Sequence, residues 1–489
     1  MRKVSGGLKL ISVLAASAVS LSACSPLGSA DSSPVGVQLF MYNWNSVANE
    51  CSEVLGPSGI DHVFISPAQE HIVGEPWWVH YQPVSYEIES RLGTREEFAA
   101  MVQTCRESGV KIIADAVVNH MSASTSGTGW AGTEYTKYEY PGLYSKDDFH
   151  GCGLTASKEI EDYKNLLQVQ NCELVGLSDL DTKSEKVQST IAMYLTDLLS
   201  LGVAGFRIDA AKHIWTDDIR QIVERLPEGT LIYHEVIRGA GEPVQPEGYV
   251  NSGDLWEFSY ARDMRSYFAT GTITPAVNVS RYEGYLPSDK ALSFISNHDT
   301  ERNGQSLSIA SNAKRFELAT VMMLADPYGM PMLYSGYAYD SYDDPPPLDS
   351  NGKVLDVKCG NETGPVDSGY QPGSFACQHR WISTLGMVAW RKQVSSQERT
   401  DVSKDSGVVA WGRGESGFFG VNIGKKPYRS DFETQMSPGV YCDSVTGGVN
   451  PRLDSGCVGL EITVSTDGKI THVMDPDTAF AIHSKAKKN

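Results

Sequence analysis

The sequence predicts an α/β fold: a (β/α)8 TIM barrel with a small domain inserted after strand 3 and a C-terminal all-β sandwich. Three observations predict it. First, eight short apolar runs alternate with helical patterns: "VGVQLFMY" from Val35, "DHVFISP" from Asp61, "VKIIADAVVNH" from Val110, "GVAGFRID" from Gly202, "TLIYHEVI" from Thr230, the weaker "DLWEF" from Asp254, "LSFISNHD" from Leu292 and "MPMLYSG" from Met330. Second, polar residues collect where these runs end: Asn119 and His120, Arg207 and Asp209, Glu235, then Asn297, His298 and Asp299. The C-terminal strand ends of such a barrel form its active face. Third, after Lys392 strand-like runs ("SGVVAWGR", "GFFGVNIG", "GVYCDSV", "GLEITVS") follow one another across Gly and Asp turns with no helical pattern between them.

Taken in order, the chain opens with Arg2, Lys3 and Lys9 ahead of a small-residue apolar run, Leu10 to Ala23, which reads as an export signal too short for a confident membrane span. That run ends in "LSAC", similar to a bacterial lipoprotein box, so residues 1–24 are expected to be a lipoprotein-type signal with Cys24 acylated; a secretory signal cut nearby is the alternative. Residues 25–34 form a flexible tether. The barrel is assigned to 35–120 and 179–391. Asp209 and Glu235 stand 26 positions apart, an ordinary βα repeat, whereas His120 and Asp209 stand 89 apart. The excess, rich in Gly, Ser, Thr and Tyr, makes 121–178 the inserted domain, and 392–489 the C-terminal one.

Composition narrows the partners. A net charge of -19 disfavours nucleic acid and anionic lipid, because a polyanion is repelled by such a surface. Contact with a membrane is expected only through an N-terminal lipid anchor, and the protein outside the cell. Nine cysteines leave eight once Cys24 is set aside, enough for four bridges in an oxidising compartment. Ser46 is read as the cap of a helix carrying Val47, Cys51 and Val54; "TREEFAAMVQTCRESG" has a Thr94/Glu97 capping box, a stripe of Phe98, Met101, Val102 and Cys105, and Gly109 as its stop. Both cysteines lie on core-facing stripes, which pairs Cys51 with Cys105. The nearest-neighbour pairings are Cys152 with Cys172, Cys359 with Cys377 and Cys442 with Cys457, although spacing alone does not fix them.

In a strand, residues two apart share a face, so Arg207 and Asp209 point one way and Phe206 and Ile208 the other. "DAVVNH" (Asp115 to His120), "GFRIDAAKH" (Gly205 to His213), "HEVI" (His234 to Ile237) and "SNHD" (Ser296 to Asp299) resemble the four ordered blocks of the α-amylase family of glycoside hydrolases, and "GLSDL" (Gly176 to Leu180) its fifth. "PWWVHYQPVSY" from Pro76 and the stretch around Cys442 resemble the branch shared by animal and some bacterial members. The likeness covers nearly everything after Val35.

The resemblance implies endo-hydrolysis of α-1,4-glucosidic bonds in starch- or glycogen-type glucans by a retaining double displacement, in a monomer. Cleaving an acetal needs a carboxylate to attack the anomeric carbon and a protonated carboxyl to hand a proton to the leaving oxygen. Asp209 is the expected nucleophile, held ionised by Arg207; Glu235 is the expected acid, with a raised pKa. Asp299 is expected to grip sugar hydroxyls and help distort the ring. His120, Arg207, Lys212, His213 and His298 are expected around the substrate, with Trp77 and Trp78 as flat platforms, and Tyr81 and Gln82 on the same loop. The resemblance further implies calcium, bound by the oxygens of Asn119 and Asp179 and the backbone carbonyls of Gln170 and His213. Chloride-activated members hold the anion with residues matching Arg207 and Asn297 and a second basic residue, whose place Met332 takes here, so no chloride requirement is expected. A binding-only relative lacks the carboxylates, and all three are present. A glucan transferase or an exo-acting maltooligosaccharide-producing hydrolase of the same family stays open, because the same carboxylates serve both.

Overall fold

A computed structural model describes Met1 and residues 34–488 apart from 361–363, 365–372 and 449–455. The export signal, Cys24 and most of the tether lie outside the described residues. Among the described residues no helix is long and apolar enough to cross a membrane.

Eight parallel strands close into a barrel: β1 (Gly36–Leu39), β2 (His62–Ile65), β3 (Lys111–Ala116), β4 (Gly205–Ile208), β5 (Leu231–His234), β6 (Asp254–Trp256), β7 (Ala291–Phe294) and β8 (Met330–Ser335). Closure is the pairing of β1 with β8, Gly36 opposite Met332. Alternation divides each strand between two cores. Phe64, Ile113, Tyr233, Trp256, Leu292, Phe294 and Met332 fill the barrel, while Val63, Ile112, Phe206, Ile208, Ile232 and Leu333 pack outward against the helices. A Cβ on Gly36 would stand 2.3 Å from the Met332 sulfur, so the glycine makes room for that side chain.

The outer layer contains α1 (Trp44–Glu50), α2 (Arg95–Glu107), α3 (Glu185–Ser200), α4 (Thr216–Val223), α5 (Phe258–Thr270), α6 (Ile309–Ala325) and α7 (Ile382–Val394). The β5–β6 connection carries only a 3-10 turn, Pro246–Tyr249. In α2 the Thr94/Glu97 capping box forms, and Phe98, Met101, Val102 and Cys105 are buried. The cap of α1 differs from expectation: Asn43, not Ser46, precedes the helix, and its side chain accepts from Ser46 N. Ser46 Oγ instead accepts from Val357 N. A wider turn over Cys51–Leu55 then shifts the buried stripe to Cys51 and Leu55, leaving Val54 half-buried. All four bridges are present: Cys51–Cys105, Cys152–Cys172, Cys359–Cys377 and Cys442–Cys457.

Between β3 and α3, His120–Met121 pairs antiparallel with Ser178–Asp179, so the two ends of the intervening segment are zipped together at the barrel rim. Within it lie a hairpin, Ser126–Thr128 with Glu134–Thr136, and a helix, Leu166–Asn171.

Helix α7 runs to Val394, slightly past the boundary read from the sequence, because "RKQV" continues its pattern. The C-terminal strands follow: β9 (Thr400–Asp405), β10 (Val408–Arg413), β11 (Gly417–Asn422), β12 (Tyr428–Glu433), β13 (Gly439–Cys442), β14 (Glu461–Val464), β15 (Lys469–Met474) and β16 (Thr478–His483). A sheet in the order β9-β10-β11-β16 faces the pairs β12·β15 and β13·β14. Val408, Ala410, Phe418, Phe480 and Ile482 pack between the layers against Phe432, Ile462 and Ile470, which makes a sandwich. The alternate residues Val409, Trp411, Phe419 and Val421 join the barrel's core with Trp390 and Val394 of α7.

Candidate active site

Arg207 and Asp209 leave the top of β4 toward the barrel axis, since Phe206 and Ile208 take the helix-facing side. The Arg207 guanidinium is buried among carboxylates. Its Nη1 donates to Asp115 Oδ1 and Oδ2 at 2.6 and 2.8 Å and to Asp209 Oδ1 at 2.9 Å. Its Nη2 lies 2.6 Å from Glu235 Oε1 as an ion pair, too bent to satisfy either atom as a hydrogen bond. After Asp209 the backbone turns left-handed at Ala210 (φ 48°), and Ala210 N donates to Glu235 Oε2 at 3.0 Å. A non-glycine residue in that conformation is strained, and the strain here aims an N–H at a carboxylate.

One guanidinium faces four acids, which cannot all ionise. Burial raises Asp209, with Arg207 opposing through charge and hydrogen bond, so the net direction is upward where the sequence suggested a nucleophile held low. Glu235 is raised by burial and by Asp209 against the pull of Arg207. Asp115 rises to about 7, from burial opposed by Arg207. Asp299 opens to the cavity, 29% exposed, yet sits deep enough for burial, then Glu235, to push it to about 8. His298 is kept neutral by burial and by the nearby Arg207 and Arg302.

Asp209, Glu235 and Asp299 line one cavity of about 470 Å³ together with Trp77, Trp78, Tyr81, His120, Lys212, His213 and His298, while Arg207 and Asp115 lie behind its wall. Tyr81 stacks on His298 at 5.2 Å and donates its hydroxyl to Asp115 Oδ2 at 3.0 Å. His120 is fixed by Tyr81 O at 3.0 Å, and His298 by Gln38 Nε2 at 3.0 Å. Lys212 donates to Ile237 O at 2.8 Å and pairs with Glu242. Trp77 is almost wholly buried, with its indole N–H on Tyr342 O at 2.7 Å; Trp78 is half-buried, with its own on Asp343 Oδ1 at 2.8 Å. Gln82 is not among the residues lining the cavity. Its amide oxygen accepts from Ala123 N at 3.0 Å and Ser122 Oγ at 3.3 Å, so the side chain holds the start of the inserted segment.

Asn119, Asp179, Gln170 and His213 are all buried where that segment meets the rim. Among the described residues no group of three or more His, Cys, Asp or Glu could hold a metal ion, as befits a set with one carboxylate, one amide and two backbone carbonyls. The donors fit a hard cation. Asp179 is raised to about 6 by burial, although His150 Nδ1 pairs with it at 2.7 Å. Gln170 lies in the last turn of its short helix, where carbonyls lack intrahelical partners. Its amide N–H₂ is occupied by Tyr249 OH at 3.0 Å and Ile214 O at 3.3 Å.

Three contributors to the site carry little or no signal in the sequence. Asp115 has one signal, a charge set inside an apolar strand one position before its end at Ala116. Glu242 sits in "GAGEP", where no periodicity points to the cleft. Tyr163, an exposed residue whose ring lies 5.4 Å from Lys212 Nζ, belongs to the pattern-free insert.

Several carboxyls from separate strands, gathered on one arginine at the C-terminal rim of a closed barrel, define the class: a barrel glycoside hydrolase. The α-amylase catalytic-domain family model matches residues 57–237. An α-amylase of Streptomyces violaceus is 39% identical over 480 residues, covering 97% of this chain and 79% of that protein. An α-amylase-related protein of Drosophila bipectinata is 36% identical, covering 92% and 93%. The solved structure of a variant of α-amylase I from Eisenia fetida with maltohexaose superposes with a TM-score of 0.86 at 32% identity, covering 92% of this chain and 97% of that one. The chain belongs to the α-amylase family of glycoside hydrolases.

Proposed function

We propose that this enzyme hydrolyses internal α-1,4 bonds of starch- or glycogen-type glucans with retention of configuration. One observation carries the reading: Asp209 and Glu235 contact the two terminal nitrogens of a single guanidinium and face the same cavity. Carboxyls anchored on one guanidinium are held close to each other, and a covalent double displacement needs a separation of roughly 5 Å. Asp209 attacks the anomeric carbon as Glu235 protonates the departing glycosidic oxygen; Glu235 then takes a proton from the water that releases the glycosyl group from Asp209. The upward shift of Glu235 supports its acid role. Asp299 and His298, 3.5 Å apart, would hold hydroxyls of the attacked sugar, and Tyr81 would pack beneath it. Lys212 and Glu242, on the Glu235 side, would hold the leaving segment. The maltohexaose bound to the Eisenia fetida relative supports an α-glucan ligand.

Soluble starch and an end-blocked maltooligosaccharide, assayed with the native chain and Asp209→Asn, test this. Early mixed short products and a loss of at least about a thousandfold in the variant are expected. Failure to cut the blocked substrate while free-ended chains are shortened would instead give the exo-acting reading, and disproportionation without net hydrolysis the transferase.

Calcium on Asn119, Asp179, Gln170 and His213 would tie the inserted segment to the rim, a structural role that touches no reacting atom. Chloride is proposed to have no part. Arg207 already serves three carboxylates, Asn297 Oδ1 accepts from Asp299 N and from Thr300 N and Oγ1, and Met332 lies in the apolar barrel core. Chelation is expected to lower both melting temperature and activity, while chloride added to a salt-depleted assay leaves the rate unchanged; the reverse result on either ion removes that half of the reading. Four disulfides and the N-terminal pattern support an exported protein, anchored outside the membrane through Cys24. Radiolabelled fatty acid failing to follow the protein, or following Cys24→Ala equally, would exclude the anchor.

A further inference from the structure

On the leaving-group side the cavity wall is cationic. Lys212, Arg238 and Arg262 line it there beside Glu242, in a chain whose net charge is -19. Arg238 stands three positions after the acid Glu235 in the chain. Arg262 comes from α5, whose Phe258, Tyr260, Ala261 and Met264 are buried, so that Arg262 is left to turn toward the cleft. Its guanidinium is placed by neutral groups: Nε and Nη2 donate to Gln305 Oε1 at 3.0 and 2.9 Å, and Nη1 donates to Arg238 O at 2.8 Å. The acids whose charge reaches it are Glu242, Glu257 and Asp263, and each is engaged elsewhere. Glu242 pairs with Lys212, Glu257 accepts from Ser259 N and Leu286 N, and Asp263 accepts from Tyr285 OH at 2.8 Å. Arg238, by contrast, has its own carboxylate, Glu247 Oε1 at 2.5 Å.

A neutral glucan offers hydroxyls, which an amide serves as well as a cation does. A guanidinium held in place by an amide and a carbonyl, partly withdrawn from water and without a carboxylate of its own, is arranged for an anion. We propose that Arg262, beside Arg238, is a specificity determinant for glucans that carry a phosphomonoester on a glucose unit of the leaving segment. This inference rests on the glucan reading above and narrows its substrate class. A phosphomonoester brings nearly two negative charges and three acceptor oxygens to a planar fork of N–H donors, and Arg238 adds attraction from the same wall.

Calorimetric binding in the Asp209→Asn background, which needs no turnover, tests this with maltohexaose and with maltohexaose phosphorylated on the C6 hydroxyl of the unit next to its reducing end. At low salt the phosphorylated probe is expected to bind roughly tenfold more tightly, an advantage that shrinks as ionic strength rises. Arg262→Gln is expected to abolish the advantage while the neutral probe stays within about twofold of the parent, and Arg262→Lys, a point charge without the fork, to retain part of it. Equal binding of the two probes by the parent overturns the proposal. So does an Arg262→Gln variant that loses affinity for both alike, which marks a hydroxyl contact or a structural role. Inorganic phosphate binding the parent as tightly as the phosphorylated probe gives a free-anion site and overturns the substrate assignment. Starch hydrolysis without the preference overturns this inference alone, whereas the preference in a chain that cleaves no starch overturns the activity and leaves the anion subsite.

Discussion

Arg207 and Arg302 are both withdrawn from solvent beside the same cavity, with 3% and 0% of their side chains exposed, but their surroundings differ. Arg207 meets Asp115, Asp209 and Glu235 and is the one cation among four acids. Arg302 meets one carboxylate, Glu301, and four aromatic rings, and two of its nitrogens have no hydrogen-bond partner. A guanidinium tolerates both settings because its edge donates and its faces stack. The rim divides its work between them. Around Arg207 the protein sets proton affinities; around Arg302 it sets shape, fastening the 337–344 loop, Trp77 and, through Arg302 Nη1 on His298 O at 3.1 Å, the strand-end turn that carries Asp299.

Removing each charge separates the two roles. Arg207→Gln leaves buried carboxylates without their cation, a loss on the order of 3–5 kcal/mol in stability unless they take up protons, and it frees Asp209 and Glu235 from their common anchor. Activity on starch is expected to fall at least about a thousandfold. Arg302→Met keeps volume and apolar contact with the rings and forfeits a cation–π term of about 2 kcal/mol. Its activity is expected to stay within roughly tenfold of the parent while the melting temperature drops by about 2 °C. Steady-state kinetics beside thermal melts check the pair; comparable losses of activity in both variants would dissolve the distinction.

The same division explains what the sequence discloses. Arg207, Asp209, Glu235 and Asp299 stand out because charged residues at the ends of apolar strands break a period-2 pattern, and their placement follows once β4, β5 and β7 are recognised. Asp115 breaks the same pattern inside β3 and is harder to see, since its partner Arg207 is 92 residues away. The aromatic cage is illegible. Phe40, Trp77, Arg302, Tyr337 and Tyr339 come from four separate connections, and "YAYDSYDDPPP" from Tyr337 has no periodicity to place it. Trp77 illustrates the consequence: the composition of its loop suggests an open sugar platform, while Tyr342 and Phe40 cover most of the indole. Gln82, adjacent to Tyr81 in sequence, turns instead toward Ser122 and Ala123, because consecutive residues of a loop need not share a face.

How much negative charge Arg302 has beside it depends on the protonation of Glu301. Burial raises Glu301 to about 7, against the opposing pull of Arg302 and the hydrogen bond from Tyr334 OH at 2.6 Å. The unfolded chain loses that proton near pH 4.3. Between about pH 4.5 and 7 the folded state therefore holds a proton that the unfolded state has released, and this group's contribution to stability declines as pH rises through that window, then levels off above it. Asp115 and Asp299 titrate over an overlapping range in the same direction, so the native chain loses stability by more than one group. Glu301→Gln removes only its own share, up to about 1.4 kcal/mol per pH unit. Urea unfolding at pH 5, 6, 7 and 8 should give a shallower decline for the variant up to pH 7 and parallel curves beyond. Coincident slopes below pH 7 would mean that Glu301 is ionised throughout, and that Arg302, like Arg207, is neutralised by a carboxylate rather than carried by its rings.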